Sequence, residues 1–112
     1  MTICERTSGR VIVLDIEGRL TIQFMRDRPL VTHVRRLLQE GRTAIVLNLE
    51  KVLYVDTTGL SNLVESYIAT ERQGGALKLV HLTPPVRQLL TTTRLLTVIE
   101  AYESEEDAVT SF

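Results

Sequence analysis

Tryptophan is absent from the chain, and tyrosine and phenylalanine together supply only five aromatic rings. That leaves no stacking platform for single-stranded nucleic acid. Cysteine occurs once, as Cys4, which excludes an intrachain disulfide and a cysteine-rich zinc centre and fits a reducing compartment. Long apolar runs are also missing. Val11–Leu14 and Ala44–Leu47 are four residues each, against the ~18 or more of a membrane-spanning helix, so no membrane insertion is expected. Glu5 and Arg6 stand where a signal peptide would carry its apolar segment. The expectation is a cytoplasmic protein. Nor is there an excess of one charge: 13 basic against 14 acidic side chains give a net charge of −1. The electrostatic footprint of a direct nucleic-acid binder is therefore lacking.

What is present suits one domain, spanning residues 1–112, with 44% hydrophobic residues. A chain of this size buries about two-thirds of the surface it exposes unfolded. Eight of its 13 cations precede residue 50, with Arg26, Arg28, Arg35 and Arg36 close together, whereas Glu100 to Asp107 is acidic. We read these as two solvated faces.

Thr2–Arg6 and Val11–Glu17 read as strands around a Thr7–Arg10 turn, which predicts a hairpin. Leu30, Val34, Leu37 and Leu38 recur at helical spacing between Pro29 and Gly41. The continuous apolar middle of Thr43–Leu49 suits a strand covered on both faces. A second helix carries Leu60, Leu63, Val64, Tyr67 and Ile68 on one face and stops at Gly74-Gly75. Ala76–Val80 is a further buried strand. Thr83 before Pro84 predicts a capping hydroxyl and a third helix to about Thr92, with Val86, Leu89 and Leu90 inward. Leu96–Ile99 reads as a short strand, and Ser104 with Asp107 opens a last acidic helix. The order β-β-α-β-α-β-α-β-α predicts an α/β fold: a mixed sheet, mostly parallel after an N-terminal antiparallel hairpin, packed by about four helices. In such sheets sites gather at the carboxyl ends of parallel strands. The loops Lys51–Thr58 and His81–Pro84, and with them Gly18–Thr21, mark that edge.

Most catalytic chemistry finds no support here. Gly74-Gly75 lacks the spacing of a phosphate loop. His33 and His81 have no cysteine or carboxylate at metal-ligand spacing, and Cys4, in an edge strand, lacks an identifiable histidine partner and reads as a buried or inert thiol. Glu103, Glu105, Glu106 and Asp107 suit capping and solubility at a helix start. No metal, cofactor or enzymatic activity is expected.

One stretch asks for more. Tyr54-Val55-Asp56-Thr57-Thr58-Gly59-Leu60 puts a carboxylate and two hydroxyls at a helix start. Asp56, Thr57 or Thr58 could each serve only as a cap. A cap does not require Gly59, which costs about 1 kcal/mol relative to alanine inside a helix, so the glycine predicts a close approach at that point.

These residues resemble the signature of the STAS family, named for sulfate transporters and anti-sigma factor antagonists: Asp, two Ser or Thr, then Gly-Leu. Asn48-Leu49-Glu50 leads in at the family's spacing, and Leu82 to Leu90 resembles the next strand exit and helix. The resemblance covers about residues 8–110. It implies a stand-alone antagonist, a protein-binding module switched by phosphorylation at Thr57, with Asp56, Thr57, Thr58 and Gly59 meeting the partner. The implied partners are an anti-sigma factor with serine/threonine kinase activity, whose sequestration releases a sigma factor, and a phosphatase that resets the switch. Many antagonists carry Gly-x-Leu-Asp after the early strand, whereas this chain reads Gly18-Arg19-Leu20-Thr21. A threonine acceptor also resembles STAS scaffold subunits of stress-signalling complexes, and a small-ligand-binding STAS module is a further alternative.

Overall fold

A computed structural model describes residues 2–21 and 29–112. Strands β1 (Thr2–Ser8) and β2 (Val11–Leu20) form the expected hairpin, antiparallel from Thr2↔Glu17 to Ser8↔Val11. Gly9, at φ +63°, supplies the left-handed turn residue. Helix α1 (Pro29–Gln39), strand β3 (Ala44–Val55), helix α2 (Thr57–Arg72), strand β4 (Ala76–Val80) and helix α3 (Pro84–Thr92) follow. A 3-10 turn (Leu95–Thr97), strand β5 (Ala101–Tyr102) and helix α4 (Glu105–Thr110) complete the order. The five strands lie in sequence order, parallel after the hairpin. This is the mixed α/β sheet that the pattern predicts, with four α-helices among the described residues.

Alternation along the strands divides the core. Ile12, Leu14 and Ile16 of β2, Ile45, Leu47 and Leu49 of β3, and Leu77 and Leu79 of β4 form one apolar layer with Leu30, Val34 and Leu37 of α1, Leu63 of α2, and Val86 and Leu90 of α3. The opposite face buries Val11, Val13, Val46 and Val80 against Ala108 of α4. Continuous apolar runs in β2 and β3 are thus explained by cover on both sides.

Several local expectations are corrected. The segment Leu96–Ile99 is no strand: Arg94 enters the left-handed region at φ +62° and a 3-10 turn follows, so β5 forms only at Ala101. The Thr83 hydroxyl does not cap α3 but donates to the Val52 carbonyl at 2.7 Å. In α2 the buried face is Gly59, Asn62, Leu63, Ser66 and Thr70, whereas Ile68 is 40% exposed. Ser66 and Thr70 satisfy their buried hydroxyls on the carbonyls of Asn62 and Ser66, each at 2.8 Å. Leu89 is only half-buried, and Cys4 is exposed rather than buried. Arg26 and Arg28 lie outside the described residues.

Part of the charged surface is paired. Arg6 forms a two-bond contact with Asp15 and reaches Glu105 of α4 at 2.6 Å. The Arg6 hydrogen bonds, supported by Asn48 at 2.7 Å, hold the Asp15 carboxyl below its ordinary value. His33 lies 3.0 Å from Glu5, and chiefly this hydrogen bond lowers the Glu5 pKa. Glu105 thus also ties α4 to the sheet, beyond the solvated role that its sequence context suggests.

Candidate functional site

Strand β3 outruns its neighbour. It pairs with β4 only from Ala44 to Asn48, whereas its second half continues beside Glu17–Leu20 of β2. Lys51–Val55 is therefore a two-stranded overhang at the carboxyl end of the sheet, and Asp56 follows directly. The expected strand ended at Leu49. The added length comes from Val52, Leu53, Tyr54 and Val55, good strand formers whose pairing partner lies more than thirty positions upstream.

The chain turns into α2 at Asp56, whose extended backbone and side chain form the N-cap. The Gly59 amide donates to Asp56 Oδ1 at 3.0 Å, satisfying one of the helix's unpaired donors. The Asp56 amide in turn donates to the Leu20 carbonyl at 3.1 Å. Gly59 sits on that same residue: a Cβ there would strike the Leu20 carbonyl and lie 2.8 Å from Leu20 Cβ. The close approach expected of this glycine is thus intramolecular. Gly18–Thr21 reaches the site edge as expected, through its backbone.

Of the four residues that the sequence singles out, Asp56 is half-buried, Thr57 exposed, Thr58 half-buried and Gly59 buried. Thr57 occupies the first helical position, and among the described residues nothing is hydrogen-bonded to its hydroxyl. The Thr58 carbonyl accepts from Asn62 Nδ2 at 3.1 Å. Sequence reasoning missed Leu20 and Thr83 as the backbone and side-chain braces of this loop. It also missed Leu53 and Tyr54, 55% and 58% exposed on the overhang, with the Arg19 guanidinium 5.2 Å from the Tyr54 ring centroid.

His33 and His81 each meet a carboxylate, Glu5 at 3.0 Å and Glu50 at 3.8 Å. Among the described residues no three His, Cys, Asp or Glu side chains gather as a metal site, and no helix is long and apolar enough to cross a membrane.

The described fold is a mixed α/β sheet whose longest strand delivers a capped helix start with an exposed threonine. The chain belongs to the STAS domain family, whose model matches residues 4–108. A Paenibacillus polymyxa protein named anti-sigma F factor antagonist is 30% identical over 66 residues, 59% of this chain and 56% of the relative. The matched part thus spans little more than half of that relative's length. An anti-sigma factor antagonist from Mycobacterium paratuberculosis shares the fold at a TM-score of 0.83 and 21% identity, over 98% of this chain and 92% of the other. The Bacillus cell fate determinant SpoIIAA in its phosphorylated form superposes at a TM-score of 0.74 and 18% identity, over 98% of both chains.

Proposed function

We propose that this chain is an anti-sigma factor antagonist: a cytoplasmic binding module, not an enzyme, that sequesters an anti-sigma factor with serine/threonine kinase activity and thereby frees a sigma factor. Phosphorylation of Thr57 by that partner ends the complex, and a phosphatase restores it. The observation that carries the reading is the exposed Thr57 hydroxyl at the start of a 16-residue helix, beside a carboxylate that caps the Gly59 amide. Family membership and the names of the relatives support the class of partner.

The physics of the switch follows from where the charge lands. A phosphothreonine adds about −1.5 to −2 charges at neutral pH, and the positive end of the α2 dipole tolerates them. A partner surface closing over Thr57 must strip water from the same dianion, next to Asp56. A penalty of about 3 kcal/mol weakens binding more than a hundredfold. The domain keeps its fold and loses its partner.

The test is incubation with purified anti-sigma kinases from the same genome and ATP, followed by mass mapping. Phosphate is expected on Thr57, absent from Thr57→Ala and retained in Thr58→Ala. Labelling chiefly on Thr58, or undiminished in Thr57→Ala, overturns the assignment.

A further inference from the structure

The β2–β3 overhang carries a feature that a phosphoacceptor alone does not need. Glu17 pairs with Lys51 and Gly18 with Val52, but Arg19 pairs with Tyr54. Leu53 is the extra residue of a β-bulge. Strand alternation would send Leu53 and Tyr54 to opposite faces and bury one of them, yet both are more than half exposed. Bulges re-aim side chains in this way and concentrate beside functional sites. With Glu17, Gly18, Arg19, Glu50 and Lys51 the two residues line an open, mainly apolar depression of about 470 Å³. Leu53 and Tyr54 stand three and two residues before Asp56.

Charge narrows what fits there. Arg19 stacks on Tyr54 and makes no salt bridge among the described residues, whereas the two carboxylates of the depression have other neighbours: Glu17 lies 4.0 Å from Lys51 and Glu50 3.8 Å from His81. A stacked arginine next to exposed leucine and tyrosine suits a surface that presents an apolar side chain flanked by a carboxylate, since aromatic and arginine side chains dominate the energetics of protein interfaces. Apolar exposure of this kind on a small protein marks a contact surface.

We infer that Leu53, Tyr54 and Arg19 form a docking pad for the anti-sigma kinase, which grips the overhang and thereby brings Thr57 into its active site. This rests on the proposed antagonist function and adds a second, non-reacting contact to it. The pad supplies affinity, and the phosphoacceptor loop supplies the switch.

The experiment measures binding of the unphosphorylated chain to the purified anti-sigma kinase by calorimetry, and Thr57 phosphorylation rates against antagonist concentration. Wild type is compared with Leu53→Thr, Tyr54→Thr and Arg19→Glu, with circular dichroism and melting as fold controls. Folded variants are expected to lose about tenfold or more in affinity, raising KM with kcat nearly unchanged. Thr57→Ala keeps its affinity and loses phosphorylation. If wild type binds and is phosphorylated on Thr57 but the pad variants match it, the pad is wrong and the antagonist reading stands. If wild type binds none of the kinases, both fall. A wild-type dimer in sedimentation that the same substitutions dissociate assigns the surface to self-association and overturns the proposal.

Discussion

At position 59 the presence of one methyl group decides how α2 meets the sheet. Alanine is the better helix former by about 1 kcal/mol, yet its Cβ would collide with Leu20, and forcing atoms into a packed site costs about 1–3 kcal/mol. Gly59→Ala is therefore expected to lower stability in urea unfolding despite its favourable propensity. Asp56 answers to a different measurement. Asparagine caps about as well as aspartate, whereas alanine forfeits about 1 kcal/mol. Asp56→Asn should keep the melting temperature and Asp56→Ala should lower it by several degrees. If the carboxylate also orients the acceptor, kinase assays will show Asp56→Asn phosphorylated more slowly than wild type. Equal rates would show that the carboxylate does not orient the acceptor. The sequence makes Asp56 legible as a helix cap because cap chemistry is local, whereas Thr57 is singled out only by the family resemblance. Leu20 escapes notice because it offers only a backbone carbonyl, which no side-chain pattern announces.

Elements defined by their own residues were the readable ones. The hairpin turn, the Pro29 start of α1, the Gly74-Gly75 stop and the Ser104–Asp107 cap follow from neighbours within a few positions, and the Asp107 amide does donate to Ser104 at 3.1 Å. What depended on distant partners was hidden. The second half of β3 exists because β2 continues beside it, and the inward face of α2 is chosen by close packing that favours Ser66 and Thr70 over Ile68. Strand β1 yields an element-scale prediction. The carboxyls of Asp15 and Glu5, held low chiefly by Arg6 and His33, contribute stability that is fully present above their ordinary pKa values of 3.8 and 4.5. It is lost as pH falls below those values and through the lowered folded ones. Asp15→Asn should reduce stability at neutral pH and flatten the acid limb of the stability curve. An acid limb as steep as wild type would mean that Asp15 is not linked to folding.

Across the whole molecule the two faces of the sheet are unequally protected. Among the described residues three helices cover one side, while the short α4 covers the other through Ala108, the Arg6–Glu105 pair and Lys78, whose Nζ lies 2.7 Å from Ser111 Oγ. Short elements with few buried contacts open first. Amide exchange in the native state should release α4 well before β3 and β4, and Ala108→Asp should bring its exchange close to the free-chain rate while the central strands stay protected. Uniform slowing across all of these elements would show that α4 opens only with global unfolding. The proposed phosphorylation falls just beyond the carboxyl end of β3, where the helix start tolerates the charge, so phosphorylated and unmodified protein are expected to give the same exchange pattern in the paired cores of β2, β3 and β4.

The brace between Leu20 and the start of α2 also bears on portability. The Thr57 hydroxyl is held at its height by a carbonyl 37 positions upstream, through the Asp56 amide and the bare Cα of Gly59. A synthetic peptide covering residues 52–66 carries every letter of the signature but no Leu20, and at 15 residues it is marginal as an isolated helix. It should be a far poorer kinase substrate than the folded chain. On the proposed reading the signature is an address written in three dimensions: pasted into another protein it is expected to stay silent unless a neighbouring strand end is supplied with it.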